Sequence, residues 1–255
     1  MAAPLTAIRL VLIGAVGLSA AVLAAVAAAA PMTLHEAFMG GGHLADKPTG
    51  PPAARYQTDE GGVFILDRTT PQPLLKFADD PEIWVLHTAQ GPHGDVIYRN
   101  DLGEQMLRAT GLGGLTVFTL HRPAGSAAAY DGAGQPLRIG PINPVQLRDN
   151  FYQASFRASR FARHEIAFET GRDAEPGTAT AYADAAQVTS EAIVDIAALP
   201  NGRLLLTRFN DVVITQGGRP NAVLQKGKLI VTIVAKDGVA GRPSSRRIAR
   251  AVGAP

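Results

Sequence analysis

From Arg55 to Arg122 the chain alternates short apolar, β-branched runs with turn residues. The runs are Val63–Asp67, Leu74–Phe77, Ile83–Thr88, Asp95–Arg99, Gln105–Thr110 and Leu115–His121, separated by Asp79–Pro81, Gly91–Gly94, Asn100–Gly103 and Gly111–Gly114. Connections this short join antiparallel neighbours, so the pattern predicts a β-meander. Ile83–Leu86 is apolar at every position and predicts the most central strand. Pro123–Pro141, rich in alanine and glycine, reads as a loop or a weak strand.

The period changes after Pro141. Asn143 can cap a helix, Pro144 suits its first position, and Gln146 completes a capping box. Phe151, Ala154, Ala158, Phe161 and Glu165/Ile166 follow at helical spacing, and Gly171 offers a stop. A second helix is predicted from about Thr180 to Ala198, ahead of Pro200-Asn201-Gly202. Strands are predicted again at Leu204–Phe209, Val212–Gln216, Ala222–Gln225 and Lys228–Ala235, with tight turns at Asn210-Asp211 and Lys226-Gly227. Ser245–Val252 predicts a short terminal helix. The fold class is therefore α+β: an antiparallel β-meander, two helices, then a second set of C-terminal antiparallel strands. Residues 55–255 read as a single α+β domain, with the meander over 55–141, helices over 142–200 and a basic β region over 201–255.

The first 54 residues have a different character. Arg9 is followed by Leu10–Met32, which contains no charged residue and ends in a run of alanines up to Ala30. A cationic start, an apolar stretch and small residues in that order predict a signal peptide over 1–30 and a periplasmic or secreted protein. The alternative is an uncleaved N-terminal membrane anchor; the single Arg9 places the folded part outside the cytoplasm in both cases. Residues 31–54 carry Gly40–Gly42 and Lys47–Pro52 and read as a flexible tether.

Charge is uneven along the chain. Residues 203–255 hold ten Lys/Arg against two Asp, whereas the formal charge of the whole protein is only +2. Two readings follow. Either the basic end pairs with the acidic remainder inside one fold, or Arg242, Arg246, Arg247 and Arg250 form an outward anion-binding face. Arginine matches phosphate geometry, so anionic lipid or an envelope protein is the expected partner class. Nucleic acid is not, because no aromatic platform interleaves these residues. The arginines of the first helix, Arg148, Arg157, Arg160 and Arg163, raise the same question.

Motifs for catalysis and cofactors do not survive inspection. The chain has no cysteine, which excludes disulfides, thiolate chemistry and Cys-ligated metals. His35 and His164 are each followed by Glu, but position i+4 is Met39 or Phe168, so no zinc-protease helix face forms. Gly111–Thr116 lacks the third glycine and the following helix of a dinucleotide loop. No nucleophile elbow is present in the mature chain. His87, His93 and His121 could meet in space, and Asp79-Asp80 with Glu82 could act as a carboxylate cluster. The expectation is nevertheless no metal and no cofactor. The favoured reading is a non-enzymatic binding or interaction module; the alternative is an envelope hydrolase assembled from His87, His121, Asp79 and Asp80, and the catalytic residues are unassigned.

Four stretches carry a resemblance: Pro81–Leu86, Gly94–Glu104, Leu107–Thr119 and Gly241–Arg250. They resemble an uncharacterised family of exported Gram-negative bacterial proteins, a domain of unknown function of about this length. The resemblance spans nearly all of the mature chain and implies export and one family-wide domain, with no activity attached.

Overall fold

The computed structural model describes residues 51–171 and 177–254. The predicted signal peptide and nearly all of the tether lie outside the described residues.

The meander is a rolled one. Strands β1 (Ala53–Thr58), β2 (Val63–Asp67), β3 (Leu74–Phe77), β4 (Trp84–Val85), β5 (His87–Gln90), β6 (Val96–Arg99), β7 (Gln105–Ala109), β8 (Leu115–Val117) and β9 (Ser126–Ala133) pair in the order β4-β3-β2-β1-β9-β8-β7-β6-β5. The two ends of that order, β4 and β5, are separated in sequence only by Leu86. The segment Trp84–Gln90 therefore pairs with β3 through its first half and with β6 through its second. With β9 returning antiparallel to β1, the ring closes as an eight-stranded up-and-down barrel, which removes the sheet edges that would otherwise need protection.

Register explains the barrel core. Tyr56 lies opposite Phe64, Leu66 opposite Leu75, Leu75 opposite Trp84, Tyr98 opposite Leu107, and Leu107 opposite Val117. These side chains share one face and form a single buried cluster. Eight strands leave an interior that such side chains can fill. Arg55, Gln57, Lys76 and Arg108 point the other way, so the barrel is apolar inside and polar outside, the reverse of a lipid-facing barrel.

The second lobe follows. Helix α1 (Pro144–Ala162) starts at the capping box Asn143/Gln146. It is followed by β10 (Ala167–Thr170), α2 (Ala179–Ala198), α3 (Gly202–Leu206), β11 (Asp211–Gln216), β12 (Asn221–Gln225), β13 (Lys228–Ile233) and α4 (Ser245–Val252). Their sheet has the order β10-β11-β13-β12. The helices and this sheet bury a second apolar cluster that contains no barrel residue.

Several expectations are refined. Ile83–Leu86 is the seam of the ring and not a central strand, although Trp84 and Leu86 are buried. Pro123–Pro141 holds the eight-residue β9, whose alanines are poor strand formers; pairing with β1 and β8 on both sides outweighs that preference. Helix α1 ends at Ala162, where Arg163 turns left-handed (φ 62°), and not at Gly171. Leu204–Phe209 forms no strand: it begins within the helical turn α3, with Leu204 72% exposed and Leu206 fully buried, whereas residues two apart on a strand would share a face. Asn210-Asp211 is therefore no turn between strands, and Asp211 opens β11. The C-terminal strands are antiparallel only at β12–β13, where Lys226 and Gly227 make the tight turn; β10, β11 and β13 run parallel.

Candidate functional site

Alternate connections of an up-and-down barrel lie at the same end. The β1–β2, β3–β4, β6–β7 and β8–β9 loops therefore form one rim. All four contribute to the wall of a cavity of about 1080 Å³, which α2 and α4 of the second lobe complete. The floor is the top of the barrel core, Phe64, Phe77, Trp84 and Val117.

Two rim loops are built to present carboxylates. In the β3–β4 loop, Asp80 Oδ1 accepts the Glu82 N–H (2.8 Å) and Oδ2 accepts Trp84 Nε1–H (2.9 Å). Lys76 donates to the carbonyls of Asp80 and Pro81. In the β6–β7 loop, the buried Asn100 Oδ1 accepts from the N–H groups of Leu102 and Glu104, and Nδ2–H donates to Glu104 Oε2 (2.8 Å). Glu82, Asp101 and Glu104 are thereby aimed at α4.

The C-terminal arginines meet them. Arg242, with its side chain 3% exposed, reaches Asp184 on α2 (2.6 Å) and Glu82 on the barrel (3.1 Å), and donates to the Ile83 carbonyl (2.8 Å). Glu82 Oε1 also accepts the first N–H of α4, from Ser245 (3.2 Å). Ser244 caps α4: its Oγ accepts from the Arg247 N–H and donates to Asp101 (2.6 Å). Arg247 pairs with Asp101 (2.7 Å), while Arg246 and Arg250 grip the two oxygens of Glu104 (2.6 and 2.8 Å). Arg246 also lies over the Trp84 ring, 5.3 Å from its centroid. All four candidate anion-binding arginines are thus occupied by carboxylates of their own chain. Gly241 precedes them because a Cβ there would overlap the Val234 carbonyl.

Burial decides the ionisation of Glu82. It pushes Glu82 up to about 7 despite Arg242 and Ser245, with Asp80 adding to the rise. Glu82 Oε2 is buried with no hydrogen-bond partner. Burial opposes the charge of Arg242, yet Asp184 and Glu82 hold its pKa above the usual value. Because the folded pKa of Glu82 exceeds its unfolded value, its contribution to stability is fully present below about 4.5 and is lost as pH rises toward 7.

The second wall is acidic. Glu191 and Asp195, four residues apart on α2, face the cavity together with Asp79 and Asp80. Burial raises both α2 carboxyls, and Asp195 reaches about 6 with help from Glu191 and Asp80; the residue is solvent-exposed at the rim, so water offsets part of that rise. Arg157 pairs with Glu191 at 2.7 Å.

The remaining sequence candidates disperse. His121, Asp79 and Asp80 reach the cavity; His87 lies outside it on β5, and His93 sits at the opposite end in the β5–β6 loop. His164 lies beyond α1, its ring nitrogens facing the carbonyls of Ala162 and Phe209. Among the described residues no group of three or more His, Asp or Glu is arranged to hold a metal ion. Glu82, Asp101, Glu104 and Asp184 escaped sequence reading as partners; the imbalance of charge between the two parts of the chain was their only signal.

Replacing Arg242 by Met leaves the buried carboxyls of Glu82 and Asp184 without their cation and should cost about 3–5 kcal/mol. The Arg246→Ser/Arg247→Ser/Arg250→Ser triple variant loses half-exposed pairs, each worth about 0.2–1 kcal/mol, and should cost measurably less. Urea unfolding followed at Trp84 reads both; a triple variant as stable as the parent would mean that these pairs do not hold α4.

Comparison with known proteins adds one positive result. No curated protein and no solved structure matches the chain. A family model does, over residues 34–252, from ahead of the barrel to the last residue of α4. The chain belongs to the family described as Domain of unknown function (DUF4908).

Proposed function

We propose that the protein is an exported binding module whose cleft, between the barrel rim and α2, takes a small amphipathic molecule with an apolar body and a cationic head. The observation that carries this reading is the cavity itself: an apolar, aromatic floor inside a ring of rim loops, with carboxylates on the facing helix. Mouths of barrels and boundaries between lobes are where such sites occur. Arg122 is taken up by Glu60, and Arg246 and Arg250 by Glu104, which leaves Asp79, Asp80 and Asp195 to set the sign of the cleft. Burial is the main cause that raises Asp195; a bound cation relieves the further rise that Glu191 and Asp80 add.

The hydrolase alternative requires a base held by a second group. Among the described residues His121 has no hydrogen bond to a carboxylate or hydroxyl, and His87 stands apart from the cleft, so binding is the reading the geometry favours.

Trp84, the only tryptophan, lies in the cavity wall and reports occupancy. Titration with decyltrimethylammonium below its micelle concentration should shift Trp84 emission at pH 7.5, and should bind about tenfold tighter than decyl sulfate, the worth of one favourable charge contact. Affinity for the cation should fall as pH drops through about 6, where Asp195 takes up its proton. Asp195→Asn should weaken binding at pH 7.5 and flatten that dependence. Equal affinity for the two amphiphiles, or no saturable binding, would overturn the reading.

Export rests on Arg9, the uncharged stretch Leu10–Met32 and the alanines before Pro31. Intact mass of the protein from the cell envelope should show a chain beginning between Val26 and Pro31; a full-length chain held in membranes would mean an anchor instead.

A further inference from the structure

Helix α1 is apolar on two opposite faces. Phe151, Ala154, Ala158 and Ala162 turn into the core of the second lobe. At about 100° per residue, Val145, Tyr152 and Phe156 fall within a band of about 40° on the other side of the helix. They are 55%, 72% and 62% exposed. Large apolar side chains repeated on the outer face of a helix have no packing role among the described residues, none of which covers them.

The charges beside this stripe are of one predominant sign. Arg148 and Arg160 flank it, and Arg163, at the left-handed helix end, extends it. Among the described residues none of the three has an ion pair; Arg160 only approaches the Phe161 ring, at 6.0 Å. Asp149 is the one carboxylate on the stripe. Arg157 is excluded, since Glu191 holds it. This is the opposite of the C-terminal arginines, all of which carboxylates of the chain already occupy.

We infer that the outer face of α1 docks on an anionic lipid bilayer surface. Tyr152 suits the headgroup level, where its aromatic body is buried and its hydroxyl stays wet, and Phe156 suits the acyl boundary just below it. The arginines suit the lipid phosphates. A second copy of the chain is a poorer occupant, because a two-fold contact through this stripe would bring like-charged arginines together. The inference is independent of the cleft, which α2 and α4 line without α1.

The test uses the full chain with vesicles of phosphatidylcholine alone and of phosphatidylcholine with phosphatidylglycerol. Any insertion by the apolar N-terminal stretch, and any attraction of Arg9 to anionic lipid, is common to parent and variants, so the difference between them reads the outer face of α1. The parent should prefer the anionic vesicles and lose that preference as salt rises. Arg148→Ser/Arg160→Ser should reduce the preference roughly tenfold to thirtyfold, at about 1 kcal/mol for each arginine. Tyr152→Ser/Phe156→Ser should lower binding to the anionic vesicles, and neither variant should change the melting temperature, since all four side chains are exposed. Equal vesicle binding by parent and variants would overturn the inference. So would a concentration-dependent dimer that the Tyr152→Ser/Phe156→Ser variant abolishes, because the stripe would then be a contact between copies.

Discussion

A single guanidinium lies where the two halves of this molecule meet. Arg242 is almost fully enclosed and touches one carboxylate from each side, Asp184 of α2 and Glu82 of the barrel. Taking three charges out of water costs several kcal/mol per ion, and their attraction offsets this only when the geometry is good. The cluster is therefore a poor source of net stability and a strong constraint on arrangement: any other placement of the lobes leaves a buried charge without its partner. That constraint is needed because each apolar core is confined to its own lobe.

The same arrangement creates the cleft. An eight-stranded ring fills its own interior, so space for a ligand arises at its mouth and only if something stands over the rim. Helix α4 is held there by Glu104 and Asp101, and α2 by Asp184, leaving the cavity between them and the loops. The barrel contributes the apolar floor together with Asp79 and Asp80, and α2 adds Glu191 and Asp195 from the facing side, so the full set of carboxylates exists only where the lobes meet. The cleft chemistry is thus a consequence of how the arginine cluster sets the two lobes.

Local signals in the sequence were clear wherever they were sufficient by themselves. The Asn143/Gln146 capping box, the Lys226-Gly227 turn, the strands Val63–Asp67 and Leu74–Phe77 and the helix Ser245–Val252 all follow from propensity and period. Closure of the barrel does not, because β9 is alanine-rich and becomes a strand only by pairing with β1 and β8. The seam at Leu86 was hidden for a related reason: a segment apolar on both faces looks the same whether it sits mid-sheet or passes from one neighbour to another. Leu204–Leu206 shows the limit of periodicity in short apolar runs, where three leucines fit a strand or a helical turn equally well. The candidate site was legible in part. Charge asymmetry pointed to Arg242, Arg246, Arg247 and Arg250, but a list of charges carries no information about which of them face each other across the fold.

The relation between the lobes can be measured directly, and the absence of cysteine makes labelling clean. Spin labels at Gln57→Cys on the outer face of β1 and Gln187→Cys on the exposed side of α2 report the distance between barrel and second lobe. With Arg242 present, the distance distribution should be single and narrow; with Arg242→Met, in a protein whose barrel and helices still give the parent circular dichroism, it should broaden or split. A distribution that stays equally narrow without the Arg242 guanidinium would contradict the account, since the lobes would then be fixed by something other than the buried ion cluster.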